Sequence, residues 1–99
     1  MKGTVIAEIH IVPLGTASAS LSRYVSACLD VVRGAKDVSY QITPMGTVVQ
    51  APLERVFELV RKMHEVPFAM GAQRVSTSIS IDDRRDKAQT MESKVKAVS

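Results

Sequence analysis

The stretch from Arg74 to Lys87 admits few structures. Val75, Thr77, Ile79 and Ile81 alternate with Ser76, Ser78 and Ser80. This period of two puts β-branched residues on one face of a strand and small hydroxyls on the other. One face belongs to a core, and the other is mild enough to meet water, a ligand or another subunit. The alternation stops at Asp82-Asp83-Arg84-Arg85-Asp86-Lys87, six consecutive charges of both signs. The strand therefore predicts a half-covered antiparallel sheet, and the charge run predicts a paired turn or a contact. Neither feature names a function.

The same alternation recurs upstream. Val5, Ala7, Ile9 and Ile11 read as the core side of a first strand over 4–12, ended by Pro13, with Ile6, Glu8, His10 and Val12 on its other side. Serines at 17–20 offer helix caps. Leu21, Val25, Cys28, Leu29 and Val32 then give one apolar helical stripe, stopped by Gly34. Val38, Tyr40 and Ile42 form the core side of a second strand ended by Pro44, Met45-Gly46 is a tight turn, and residues 47–50 are a short third strand. Pro52 suits the first turn of a second helix carried by Leu53, Val56, Phe57, Val60 and Met63. Pro67 predicts a break or kink near Val66. After the fourth strand, Asp86 and Gln89 resemble a capping box for a short terminal helix with Met91, Val95 and Val98 on one face.

The order is β-α-β-β-α-β plus a small helix. A single α+β domain over 1–99 follows, with the ferredoxin-like split-βαβ arrangement. Its antiparallel four-stranded sheet has spatial order 4-1-3-2, with both long helices on one side. The open side then carries Ile6, Glu8, His10, Val12, Ser39, Gln41, Thr43, Ser76, Ser78 and Ser80. That mixture suits assembly better than solvation and predicts self-association, as a homodimer or homotetramer.

Composition limits the function. The absence of Trp leaves an aliphatic core, and one cysteine, Cys28, excludes an internal disulfide or a cysteine zinc site. A net charge of +3 is too mild for a nucleic-acid face. The open side also lacks the aromatics that stack RNA bases. No run is long enough to span a membrane, and no leader pattern opens the chain, so a cytoplasmic protein is expected. Neither a catalytic triad nor a phosphate loop is present, and no metal set can be assembled from His10 and His64. Glu8 beside His10 reads as a solvated or interface pair. A non-enzyme with no cofactor or metal is expected.

Ile11-Val12-Pro13-Leu14-Gly15-Thr16 and Ile42-Thr43-Pro44-Met45-Gly46-Thr47 are near repeats. Strands 1 and 2 run parallel in the expected topology, so both corners leave one end of the sheet. Thr16, Thr47, Arg74 and the serine-rich start of the first helix should share that rim. The turns are explained by backbone need alone, or they form a small polar pocket that tolerates a negative group.

Together with His64-Glu65, Gly71, Arg74-Val75-x-Thr77 and Ile81-Asp82-Asp83-Arg84-Arg85, these corners resemble the small thiamine-binding-protein family of the YkoF-like superfamily. The resemblance covers nearly the whole chain. It implies a ferredoxin-like fold, tetramers made by sheet-to-sheet packing, and a non-catalytic site for thiamine or its hydroxymethylpyrimidine half. Members often carry a glutamate where this chain has Gln50, and an amide brings no charge to offset a thiazolium. On this reading Gly46, Thr47 and Gln50 hold the polar edge of the ligand, His10, Ser76 and Ser78 line the floor, and Tyr40 is a wall. The alternative is an effector-sensing or assembly protein with an anionic ligand or none, carried by Arg74 or by Asp83, Arg84 and Arg85.

Overall fold

The computed structural model describes residues 3–15 and 22–99. The expected rim position Thr16, the serines at 17–20 and the stripe residue Leu21 lie outside the described residues. The elements are β1 (Thr4–Leu14), α1 (Ser22–Arg33), β2 (Ser39–Thr43), β3 (Gly46–Pro52), α2 (Leu53–Ala69), β4 (Arg74–Asp82) and α3 (Met91–Lys96). The sheet order is β2-β3-β1-β4, antiparallel throughout. Read from the other edge, this is the 4-1-3-2 order expected of the ferredoxin-like α+β fold.

Register assigns the faces. Val5, Ala7 and Ile9 of β1 lie level with Ala51, Val49 and Thr47 of β3, and all six are buried. They form one core with Cys28 and Val32 of α1 and Val56, Leu59 and Met63 of α2. The opposite face carries Ile6, Glu8, His10 and Val12, flanked by Asp82, Ser80, Ser78 and Ser76 of β4. The alternation in the sequence thus selects both faces correctly, because successive strand side chains must point to opposite sides.

Several local expectations change, and on α2 the buried residue is Leu59 where the stripe has Phe57, which is exposed. β1 does not end before Pro13 but continues to Leu14, paired with β4 alone. With a neighbour on one side only, a residue lacking an amide is tolerated. On α1 the buried residue is Tyr24, whereas Val25 is 47% exposed. The stripe therefore passes Tyr24, Cys28 and Val32 in steps of four. Tyr40 and Ile42 do lie on the helix side, level with Val49 and Thr47. They remain 39% and 51% exposed, because the helices stop short of this edge strand.

Pro67 is another. α2 runs through it to Ala69. Proline brings no amide to the carbonyl of Met63, four residues back. The Cys28 thiol, from α1, donates to that carbonyl at 3.5 Å. Burial pushes the thiol above its usual pKa, so it keeps the proton it donates.

α3 is capped by Thr90 rather than by Asp86. Thr90 Oγ1 accepts from the Ser93 amide at 3.0 Å, and Ser93 Oγ accepts from the Thr90 amide at 2.9 Å. Two bonds bring α3 onto the open sheet face. The Met91 amide donates to Gln50 Oε1 at 3.0 Å, and Lys94 pairs with Asp82. Gln50 and Asp82 both lie level with Ile6, on either side of β1. The chain's own tail therefore covers one end of the face expected to be bare.

Lys94 holds the Asp82 carboxyl below its usual range. A carboxylate depressed in the folded state stabilises fully above its unfolded pKa, near ~4, and loses that contribution as pH falls through the folded value. Acidification below about pH 4 should therefore free α3 while the core persists, seen as coil-like amide shifts confined to 91–96. Lys94→Ala should give the same shifts at neutral pH. An α3 spectrum unchanged by both would contradict the latch.

Candidate functional site

β1 outruns β3 at one end. Its last pairing with β3 is Ile9–Thr47, whereas pairing with β4 continues to Leu14–Arg74. Five residues of β1, roughly 17 Å of strand, extend past the corner where β2 turns into β3. The two Pro-x-Gly corners therefore leave the same end of the sheet but stand at different levels. Beside the second corner lies a notch of about 180 Å³, bounded by Ile9 to Val12 of β1, Val25, Cys28 and Leu29 of α1, and the hairpin corner from Ile42 to Thr47. Apolar side chains make most of its wall. Ile42, Val25 and Met45, the last 72% exposed, leave an apolar mouth open to solvent.

The corner is built by its own hydrogen bonds. Thr43 Oγ1 accepts from the amides of Met45 at 3.2 Å and Gly46 at 3.1 Å, and donates to the Gly46 carbonyl at 3.0 Å. That hydroxyl is fully committed to the turn. The turn residues are Pro44 and Met45, and Gly46 already opens β3. A Cβ at Gly46 would lie 2.7 Å from the Ile9 carbonyl oxygen. The glycine thus serves the close approach of β1 to β3, a backbone need. Thr47 is buried at the back of the notch.

The residues expected to hold a ligand fall into groups. Gly46 and Thr47 are at the notch. Tyr40 is on the helix side by register, away from the corner, and at the β2 edge it borders with Gln41 a shallow cleft against Met91 and Val95 of α3. Ser76 and Ser78 are on the open face, and His10, level with Ser78, also borders the notch between Ile9 and Ile11. Gln50 is on that face too, but level with Ile6, four residues or roughly 14 Å of strand from His10. Its amide oxygen is taken by Met91. Val25, Cys28, Leu29 and Ile42 are notch residues that periodicity assigns to the core. An apolar Met45 in a tight turn is the sequence signal that could have found them.

The acidic-basic run lies at the far end. Arg84 forks onto Asp86 at 2.7 and 3.0 Å, and Arg85 reaches Asp83 at 2.7 Å. These bonds hold the Asp86 and Asp83 carboxyls below the usual range. The run borders a cavity of about 400 Å³ with Gly3, Thr4, Val5 and Leu53. Each guanidinium already has its carboxylate, so an anion there would have to displace one. Arg74 is exposed at the opposite end of β4.

Among the described residues, no group of three or more His, Cys, Asp and Glu is placed to hold a metal. His64 Nδ1 shares a 2.7 Å hydrogen bond with Thr77 Oγ1, and its ring meets Phe68 edge-on. No helix of the described residues is long and apolar enough to cross a membrane.

Comparison with known proteins gives a consistent picture. Residues 7–99 match the family described as "Thiamine-binding protein". The chain is 41% identical over 97 residues to the UPF0045 protein YqgV of Bacillus subtilis, covering 95% of this chain and 93% of that one. It is 40% identical over 95 residues to a UPF0045 protein of Methanothermobacter thermautotrophicus, covering 95% of each. The crystal structure of a hypothetical protein from Methanocaldococcus jannaschii superposes with a TM-score of 0.87 at 34% identity, over 97% of this chain and 96% of that one.

Proposed function

Because the chain belongs to the thiamine-binding protein family, we propose that it is a non-catalytic, self-associating protein that binds thiamine or its hydroxymethylpyrimidine half in the notch beside Gly46 and Thr47. The notch itself carries the reading. It is apolar on its walls, has a threonine at its back and lies against a corner whose backbone is fixed by Thr43. A flat, weakly polar ring suits such a place. Its volume of about 180 Å³ falls below the ~300 Å³ at which small-molecule pockets begin. One ring fits, and the charged thiazolium of thiamine would project from the mouth. Gln50 then acts through α3 rather than on the ligand, and its lack of charge matters little.

Titration calorimetry with thiamine, its phosphates and free hydroxymethylpyrimidine tests this. Binding of the free pyrimidine and of thiamine with similar affinity is expected. Thr47→Val should weaken both about tenfold, the cost of one buried hydrogen bond. Gln50→Ala should leave both intact. No heat with any of these compounds at millimolar concentration would reject the proposal.

A further inference from the structure

The cavity beside the acidic-basic run has a volume of about 400 Å³. Small-molecule sites span ~300–1,000 Å³, so this cavity is large enough where the notch is not. The two places share no lining residue. Val5 at the start of β1 and Leu53 at the start of α2 give the cavity an apolar wall, and the loop from Asp83 to Gln89 gives it a polar one.

Three features of that wall suit a negative group. The first is Gln89, whose side-chain nitrogen Nε2 is buried and has no hydrogen-bond partner. Its amide helps to hold the neighbouring Asp82 carboxyl below its usual range, yet no acceptor completes a bond to it. A buried donor without an acceptor is costly, so each such group calls for an explanation. An oxygen of a bound molecule would supply one.

Charge is the second. Arg84, Arg85 and Lys87 carry three positive charges against the two negative charges of Asp83 and Asp86, leaving one in excess on the lining. Lys87 forms no ion pair among the described residues. Lys87 and Gln89 can therefore meet a ligand while both arginine pairs stay intact. Arg85 is the arginine that yields most easily. It is 79% exposed and both of its bonds go to one oxygen of Asp83, and exposed pairs contribute little. The third feature is the start of α2. Leu53 is its first residue, and no side chain caps the helix at Pro52. The positive end of a long helix lies at this wall.

We infer that this cavity is a second ligand site, for a small organic oxyanion. One carboxylate or phosphate group is held by Lys87, by the Gln89 amide and by the start of α2, and an apolar body lies against Val5 and Leu53. The site does not rest on the binding proposed for the notch.

Amide shifts measured with four probes test it. Benzoate and phenyl phosphate share a ring and differ in headgroup, benzyl alcohol keeps the ring without the charge, and inorganic phosphate keeps the charge without the ring. Benzoate or phenyl phosphate at millimolar concentration should shift the amides of 83–89 saturably and leave those of 43–47 in place. The tighter of the two identifies the headgroup. Benzyl alcohol and inorganic phosphate should bind at least tenfold more weakly. Gln89→Met keeps the length of the side chain and removes the donor. It should weaken binding about tenfold without lowering Tm, because the nitrogen it removes has no partner to lose. Lys87→Gln should weaken binding similarly and reduce its dependence on salt. No saturable shift of 83–89 with either ring-bearing anion would overturn the site. Equal binding of benzyl alcohol, or unchanged affinity in Gln89→Met, would overturn it too. Heats with thiamine and the free pyrimidine report on the notch alone, so either reading can fail while the other stands.

Discussion

Gly46→Ala is expected to destabilise the domain by about 1–3 kcal/mol, the usual range for an inserted group that packing cannot absorb. The added Cβ would lie 2.7 Å from the Ile9 carbonyl oxygen. That oxygen belongs to the backbone of the central strand β1, so no rotamer change relieves the contact. β3 must move away from β1, and the ladder at Ile9–Thr47 must lengthen. A domain of this size has a total stability of only several kcal/mol. Each kcal/mol corresponds to roughly 4–8 °C in Tm, so a drop of about 4–24 °C is expected. Gly34 is the control: a Cβ there meets only helix carbonyl oxygens at 3.4 and 3.7 Å and needs no unusual backbone angle. Gly34→Ala should change Tm little. Equal Tm values for the two variants would show that the corner yields and that Gly46 is there for another reason. Because the notch lies against this corner, Gly46→Ala should also weaken ligand binding, which separates it from a purely core defect such as Leu59→Ala.

The second large effect concerns two residues 39 positions apart in sequence. Cys28→Ala should cost about 2–3 kcal/mol, combining a small cavity with the loss of the thiol donor to the Met63 carbonyl. The diagnostic quantity is the dependence on Pro67. Pro67→Ala restores a backbone amide aimed at that carbonyl, so the thiol is no longer needed as a donor. In the Pro67→Ala background the cost of Cys28→Ala should fall by about 1 kcal/mol, the net worth of one hydrogen bond. Denaturant melts of the wild type, both single variants and the double variant measure this. Strict additivity would mean that the thiol merely fills space. Cys28→Ser offers a second check, since a hydroxyl is a stronger donor but shortens the reach.

Much of the fold can be read along the chain. The alternation in 4–12 and 74–81 gives two strands and both of their faces, and the order of elements gives the strand order. These are local properties: the pleat fixes a period of two wherever a strand forms, and right-handed crossovers leave one arrangement for this order of elements. The failures are of one kind. Alternation puts Tyr40 and Ile42 on the helix side, yet period alone does not reveal where a helix layer stops. Pro67 reads as a break because local rules see the missing amide and not the thiol that replaces it. The cap at Thr90 is hard to see in the sequence because its partner is a serine, a weaker signal than the glutamate or glutamine of the usual box.

The candidate site divides the same way. The repeated Ile-x-Pro-x-Gly-Thr corners announced two similar turns at one end of the sheet. The notch exists only because β1 overshoots β3 by five residues, and Gln50 turned out to face α3 because the tail folds back over Ile6. So the amino-acid sequence alone determined the faces and the strand order. Only the tertiary structure decided the stagger of the corners, the course of the tail and the pairing of Cys28 with the carbonyl exposed by Pro67. Side-chain alternation follows from the geometry of neighbouring residues. Relative offsets between elements follow from the sum of many distant contacts, and no single stretch of sequence contains that sum.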